Sequence, residues 1–262
     1  MFNKFKIASK YLKHYWKSNN RHGIHSPFVY QFLEDILYAD KTRTELDSFI
    51  ALRKKLLNDT REILITDLGA GSTINPSKTR PVKDVAKNSS KHSKYGRLFY
   101  RMVQFYQPQN CIELGTSLGL STLYFAKGMS TQPVHTLEGC PNTLKIAEEN
   151  FKSQNLTNIH THIGDFKETL PIVLSEIKKV GIVFFDGNHQ EEATLAYFET
   201  CLPYITEKTI FIFDDIHWSD GMTNAWNKIK GHPQTVVTLD LFFVGIVFFD
   251  SRLTPQNFNI RF

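Results

Sequence analysis

The chain predicts an α/β fold: a doubly wound, seven-stranded, mostly parallel sheet with a C-terminal antiparallel hairpin and a helical N-terminal extension. Three observations carry this. From about residue 95 onward, short apolar runs alternate with stretches whose apolar residues recur at helical spacing, the pattern of repeated βα units. One run, Cys-Ile-Glu-Leu from Cys111, breaks at Gly115, passes through small residues to Gly119 and becomes a helix. The last two runs, 235–239 and 242–249, are joined too tightly for a helical crossover and must be antiparallel neighbours.

Residues 1–60 read as helices packed on the main domain, because they cannot close a core alone. Ser26 followed by Pro27 is a helix start, and Phe28, Phe32, Ile36 and Leu37 then recur at helical spacing. A further helix is expected from about Thr44, burying Phe49, Ile50, Leu52, Leu56 and Leu57. His22 and His25, just before the Ser26 cap, read as fixing the loop or facing substrate. The strand-like run from Ile63 ends in Asp67, Gly69 and Gly71 and imitates a ligand turn. The segment 73–93 is rich in Lys, Ser and Asn, carries Pro76 and Pro81, and shows no helix-strand repeat. Residues 61–93 are therefore read as a connecting segment and a mobile loop.

Residues 94–262 form the expected main domain. Tyr95, Leu98, Phe99, Met102, Val103 and Tyr106 mark one face of a helix leading into the Cys111 strand. Further strands are expected at 134–138, 159–163, 180–185 and 209–213, ending at Glu138, Gly164-Asp165, Asp186 and Asp214-Asp215. Ligands bind an open parallel sheet at the carboxyl ends of its strands. Glu113, Glu138, Asp165, Asp186, Asp214 and Asp215 are thus expected to converge on one crevice.

Composition narrows the class. With 262 residues, one core domain plus an extension is expected. Three cysteines without a Cys-x-x-Cys pair indicate neither a disulfide framework nor a cysteine zinc site, and a cytoplasmic location is expected. The longest apolar run, 241–249, is too short to span a bilayer, and the N-terminus lacks the pattern of a secretory signal. The net charge of +5 is unevenly placed. Lys4, Lys6, Lys10, Lys13, Lys17 and Arg21 form one basic stretch, and Lys78, Arg80, Lys83, Lys87, Lys91, Lys94, Arg97 and Arg101 a second. Both read as solvated surface, with a basic rim for an anionic substrate or nucleic acid as the alternative.

The turn after Cys111 narrows the ligand. Gly115 and Gly119 remove Cβ atoms where a ligand could approach the backbone, and N–H groups at the helix start favour a negative group. Glu113 at the strand tip disfavours a pyrophosphate, and the Gly-x-Gly-x-x-Gly of a dinucleotide site is absent. A ligand offering hydroxyls or positive charge, such as S-adenosylmethionine, fits better.

Over roughly residues 90–262 the chain resembles the class I S-adenosylmethionine-dependent methyltransferases. Ile112-Glu-Leu-Gly-Thr-Ser-Leu-Gly119 is similar to their first motif. The resemblance implies cofactor contacts from Lys94, Glu113, Gly115, Thr116, Gly119, Ser121, Glu138, Gly139, Asp165 and Asp186, with Glu138 holding the ribose hydroxyls. Phe184-Phe-Asp-Gly-Asn-His189 and Phe211-Ile-Phe-Asp-Asp-Ile-His-Trp218 resemble segments of the metal-dependent O-methyltransferases of the catechol and caffeoyl type and their antibiotic-tailoring relatives. That implies Mg²⁺ held by Asp186, Asp214 and Asp215, whose mutual repulsion a hard cation would relieve. It also makes Asp186 and His189 the catalytic candidates, His189 standing where those enzymes place a lysine base. His217 reads as structural or substrate-facing, and Trp218 as a wall of the acceptor pocket. The expected partner is a small-molecule acceptor, anionic or polyhydroxylated, with no membrane; the oligomeric state, a homodimer included, stays open. A nucleic-acid methyltransferase and a non-catalytic S-adenosylmethionine-binding scaffold are the competing readings.

Overall fold

The computed structural model describes residues 2–20, 23–39, 44–66, 79–89 and 93–262, with the side chains of 2–6 and 89 outside the description. His22, Asp67, Gly69 and Gly71 lie outside the described residues. Helix α1 spans Phe2–Lys17 and α2 spans Pro27–Phe32. Pro27 supplies the first helical residue, where an N–H would have no helical partner, and the Ser26 hydroxyl accepts from the Val29 N–H. A wider turn over Leu33–Leu37 extends α2. After a short turn at Thr44–Leu46 comes α3, Asp47–Leu56, which buries Phe49, Leu52 and Leu56.

Strands β1, Glu62–Leu64, and β2, Thr79–Pro81, pair antiparallel as a separate ribbon, and α4, Val82–Ser89, comes next. The expectation of a structureless loop at 73–93 is corrected for its described part. Val82 and Ala86, four residues apart, are buried among Phe49, Leu52 and Leu56, so a short apolar stripe docks α4 on α3. Three apolar residues in eight, Val82, Val85 and Ala86, are a weak signal beside so many Lys, Ser and Asn.

The main body alternates as expected: α5 (Ser93–Tyr106), β3 (Cys111–Leu114), α6 (Leu120–Met129), β4 (Val134–Glu138), α7 (Pro141–Ser153), β5 (Ile159–Ile163), α8 (Phe166–Ile177), β6 (Ile182–Phe185), α9 (Glu191–Cys201), β7 (Ile210–Asp214) and α10 (Asp220–Lys230). The chain then closes with β8 (Val237–Asp240), β9 (Val244–Phe248) and β10 (Gln256–Asn259). The sheet order is β10, β8, β9, β7, β6, β3, β4, β5, with β9 antiparallel to both neighbours and every other pairing parallel. The closing hairpin is therefore present, but the sheet has eight strands rather than seven. The added strand, β10, sits at the edge and buries only Phe258, too little apolar character to read as a strand.

Strand periodicity sorts the core into two layers. Cys111, Ile182, Phe184, Ile210 and Ile212 face α2, α5 and α6, where the Phe99 and Phe125 rings stack at 5.0 Å. Ile112, Leu114, Val183, Phe185, Phe211 and Phe213 face α8, α9 and α10. The N-terminal segment is fastened to the C-terminal edge. The Asn19 N–H donates to Asn259 O at 2.8 Å, the Tyr38 hydroxyl donates to Arg261 O at 2.7 Å, and Phe28 packs edge-on against Phe248. Arg101 leaves the second basic stretch altogether: it is buried, its guanidinium donating to the Ile36 and Leu37 carbonyls at the end of α2. Among the described residues no helix is long and apolar enough to cross a membrane.

Candidate cofactor and cation site

The turn between β3 and α6 is built by two glycines with positive φ, Gly115 at 105° and Gly119 at 77°. A Cβ at Gly115 would lie 2.3 Å from the Asp186 carbonyl oxygen, and one at Gly119 would lie 2.3 Å from the Phe151 ring. The missing side chains thus admit neighbouring parts of the protein, which corrects the expectation that they clear space for a ligand. A cavity open to solvent lies beside them. Gly115, Thr116, Ser117, Ser121, Tyr124 and Asp186 are among its walls.

Glu138, at the end of β4, borders this turn. Its Oε2 accepts from the Ser117 N–H at 2.7 Å and its Oε1 from the Cys140 N–H at 2.8 Å. Burial raises its carboxyl above the usual range, against which the N–H groups of Cys140, Ser117 and Gly139 work. Each oxygen retains acceptor capacity for a ligand hydroxyl.

Glu113 is placed differently from the expectation. Its side chain is fully buried, with Oε1 accepting from Ser121 Oγ at 2.5 Å and Oε2 accepting from the hydroxyls of Thr122 and Thr136. Its carboxyl braces the first turn of α6 from beneath and does not open on the cavity. Burial pushes its pKa up to about 7, against the lowering effect of the three hydroxyls. Thr116 belongs to the same network, its hydroxyl 2.6 Å from that of Thr136.

Two further expected cofactor residues are engaged elsewhere. Asp165 caps α8, its side chain accepting from the Lys167 N–H at 2.9 Å. The Lys94 ammonium lies 3.8 Å from the centre of the Phe262 ring, so it faces the chain's C-terminal residue.

The cation candidates converge only in part. Ligand atoms of Asp186, His189 and Asp214 all lie within 4.8 Å of one another, and His189 Nε2 is 3.8 Å from Asp186 Oδ1. Asp215, the expected third carboxylate, stands outside this group. It turns left-handed at φ 52° and donates its N–H to Phe243 O at 2.7 Å, and His189 takes the third place. His217 points away from this group: its Nε2 lies 2.8 Å from Asp240 Oδ2. Trp218 is exposed.

Sequence reasoning missed Gly96 and Tyr124, which also line the cavity. A Cβ at Gly96 would meet the Tyr124 ring at 2.3 Å, so this glycine lets α5 approach α6. An isolated glycine inside a helical pattern was its only signal.

Residues 112–216 match a family described as a methyltransferase domain. Residues 112–216 carry the pattern of a methyltransferase domain. The resemblance to class I methyltransferases is thereby borne out, with the matched residues running from β3 through the loop after β7. No curated protein matches the chain. Among solved structures, the methyltransferase domain and its flanks resemble an SAH-bound methyltransferase of Podospora anserina at 14% identity and a TM-score of 0.61, covering 81% of this chain and 90% of that one. An O-methyltransferase from Bacillus cereus in complex with SAH aligns at 19% identity and 0.56, covering 84% and 97%. The O-methyltransferase TomG from Streptomyces achromogenes, in complex with SAM, aligns at 15% and 0.53, covering 62% and 82%. At such identities these likenesses concern the fold.

Proposed function

We propose that this methyltransferase transfers the methyl group of S-adenosylmethionine to a hydroxyl of a small-molecule acceptor, assisted by a divalent cation. One observation carries the reading: Asp186 both lines the cavity beside the Gly115 turn and belongs to the group with His189 and Asp214. A methyl donor in that cavity and a cation at that group would be neighbours. The ligands in the Bacillus cereus and TomG structures support the choice of donor. In this proposal residues 94–262 are the catalytic domain, 1–60 an extension and 61–93 a connector. A cytoplasmic location suits the three free, buried cysteines.

Glu138 would accept the two ribose hydroxyls, and the turn around Gly115 and Ser117 would hold the rest of the donor. Asp186, His189 and Asp214 fit a divalent cation as two oxygen donors and one nitrogen, a set that suits Mn²⁺ as well as Mg²⁺. Such an ion lowers the pKa of an acceptor hydroxyl. In the reaction the hydroxyl oxygen forms a bond to the methyl carbon, the bond from that carbon to sulfur breaks, and the hydroxyl proton leaves. His189 has two roles open to it within the group, ligand and proton acceptor. His189→Gln separates them: lost cation affinity marks a ligand, whereas lost rate with affinity kept marks the base.

Calorimetry with S-adenosylmethionine tests the donor. Binding is expected, and Glu138→Ala should weaken it roughly 100-fold through loss of two charge-assisted hydrogen bonds. Unchanged binding in that variant would reject the assignment. Activity on hydroxylated acceptors should disappear with chelator and return with Mg²⁺ or Mn²⁺; indifference to chelator would reject the cation.

The nucleic-acid reading loses support from the second basic stretch, where Arg101 is buried and Lys94 lies on an aromatic ring.

A further inference from the structure

Strand β4 and its edge neighbour β5 carry three histidines that methyl transfer does not use. His135 on β4 stands directly opposite His160 on β5, and His162 lies two residues further along β5. Strand periodicity therefore projects all three from one face. The rings meet: His135 Nδ1 is 3.1 Å from His162 Nε2, and the His135 ring stacks on those of His160 and His162 at 5.1 and 5.4 Å between centroids. His135 and His162 are half-buried, and His160 is exposed. The charge of the Glu176 carboxylate on α8 acts on His162.

We propose that His135, His160 and His162 bind one divalent transition-metal ion of the zinc type, fastening edge strand β5 to β4 at a place separate from the Asp186 group.

Spacing is the first argument. Two imidazole nitrogens about 2.0–2.1 Å from one tetrahedral zinc stand roughly 3.3 Å apart. The His135 and His162 nitrogens stand 3.1 Å apart in a hydrogen bond, so a shared ion needs the pair to open slightly and both rings to turn their lone pairs from each other toward the ion. The ring nitrogens of His160 do not come within 4.8 Å of both partners; its ring is exposed and would turn toward the pair to complete the set, with water in the fourth position. Chemistry is the second argument. An all-imidazole set suits zinc, copper or nickel and not magnesium, so this site would not compete with the carboxylates of Asp186 and Asp214 for a hard ion. Burial supports both arguments, since it pushes His135 down to about 4 and lowers His162 as well, leaving lone pairs available at neutral pH. The consequence is local. Among the described residues β5 pairs only with β4, and an ion bridging them would hold the strand that leads into Gly164 and Asp165.

The test uses the untagged full chain carrying Asp186→Asn, which silences the carboxylate group, titrated with Zn²⁺ alone in calorimetry and with Co²⁺ followed by visible absorption. One zinc equivalent should bind, the cobalt form should show the absorption of a nitrogen-coordinated ion, and zinc should raise the melting temperature. His160→Gln, an exposed change that leaves the fold intact, should weaken zinc roughly tenfold or more, and the pair His135→Gln with His162→Gln should abolish binding. Circular dichroism verifies that the double variant is folded. Absence of zinc binding at micromolar concentration, or equal binding by the parent and by His160→Gln, overturns the proposal and leaves a plain histidine–histidine hydrogen bond. The readouts do not involve methyl transfer.

Discussion

Glu113 at the end of β3 and Asp240 at the end of β8 are both carboxylates removed from water, yet their surroundings drive them in opposite directions. Glu113 meets only neutral donors, the hydroxyls of Ser121, Thr122 and Thr136, and burial pushes it up to about 7. Asp240 feels a large burial effect too. Hydrogen bonds and charge from His14 and His217 overcome it and hold the carboxyl well below the ordinary range. Its Oδ1 lies 3.0 Å from His14 Nε2, and its Oδ2 lies 2.8 Å from His217 Nε2 and 3.0 Å from Trp226 Nε1. A strand-end acid therefore carries no fixed role. One braces a cofactor turn through hydroxyls, while the other ties α1, the loop after β7 and α10 together through two histidines and an indole.

The comparison breaks most severely at Asp240. Asp240→Ala leaves His14, His217, the Trp226 indole N–H and the Phe242 N–H without their shared acceptor. We expect a loss of about 3–5 kcal/mol in urea unfolding; a loss below about 1 kcal/mol would show that the cluster is incidental.

The pH dependence at Glu113 should be nearly as large and has a definite sign. With its pKa raised from 4.5 to about 7 in the folded state, its contribution is fully present below pH 4.5 and is lost as pH rises through 7. That amounts to about 3 kcal/mol between the two limits. Asp240, whose pKa is depressed, contributes in the opposite sense: stability is present above its ordinary value of 3.8 and is lost as pH falls. Unfolding of Glu113→Gln at pH 5 and pH 7.5 should show a flatter slope than the parent. Identical slopes would mean that Glu113 stays ionised.

Two smaller changes sharpen the contrast. His14→Gln removes one partner of Asp240 and should cost about 1.5–3 kcal/mol. Faster hydrogen exchange in α1, with β3 and α6 unchanged, would locate the effect; uniform exchange throughout would contradict it. Ser121→Ala takes one of three hydroxyls from Glu113 and should cost only about 1 kcal/mol. A thermal melt suffices to measure it, and a loss above about 3 kcal/mol would mean that the hydroxyls act as a single unit.

Much of this architecture was legible because parallel strands covered on both faces appear as near-continuous apolar runs, as in Ile182–Phe185 and Ile210–Asp214. Their carboxyl ends located Asp186 and Asp214 correctly beside one another. The same reasoning placed Asp215 with them, since adjacency in sequence says nothing of a left-handed backbone turn between two acids. It also placed Glu113 at the ligand, because three hydroxyls on α6 and β4 give no signal in a linear string. His160 and His162 alternate along β5, but His135 joins them only through the register of β4 on β5.

The sequence alone determined the alternation of elements, the carboxyl edge where the acids gather and the turn at Gly115, because periods of two and 3.6 residues are local properties of the chain. Tertiary structure alone decided which of those acids meet a cavity, which are locked under hydroxyls and which hold histidines. The ionisation and reach of a side chain depend on groups such as His14 and Asp240, brought together from opposite ends of the molecule.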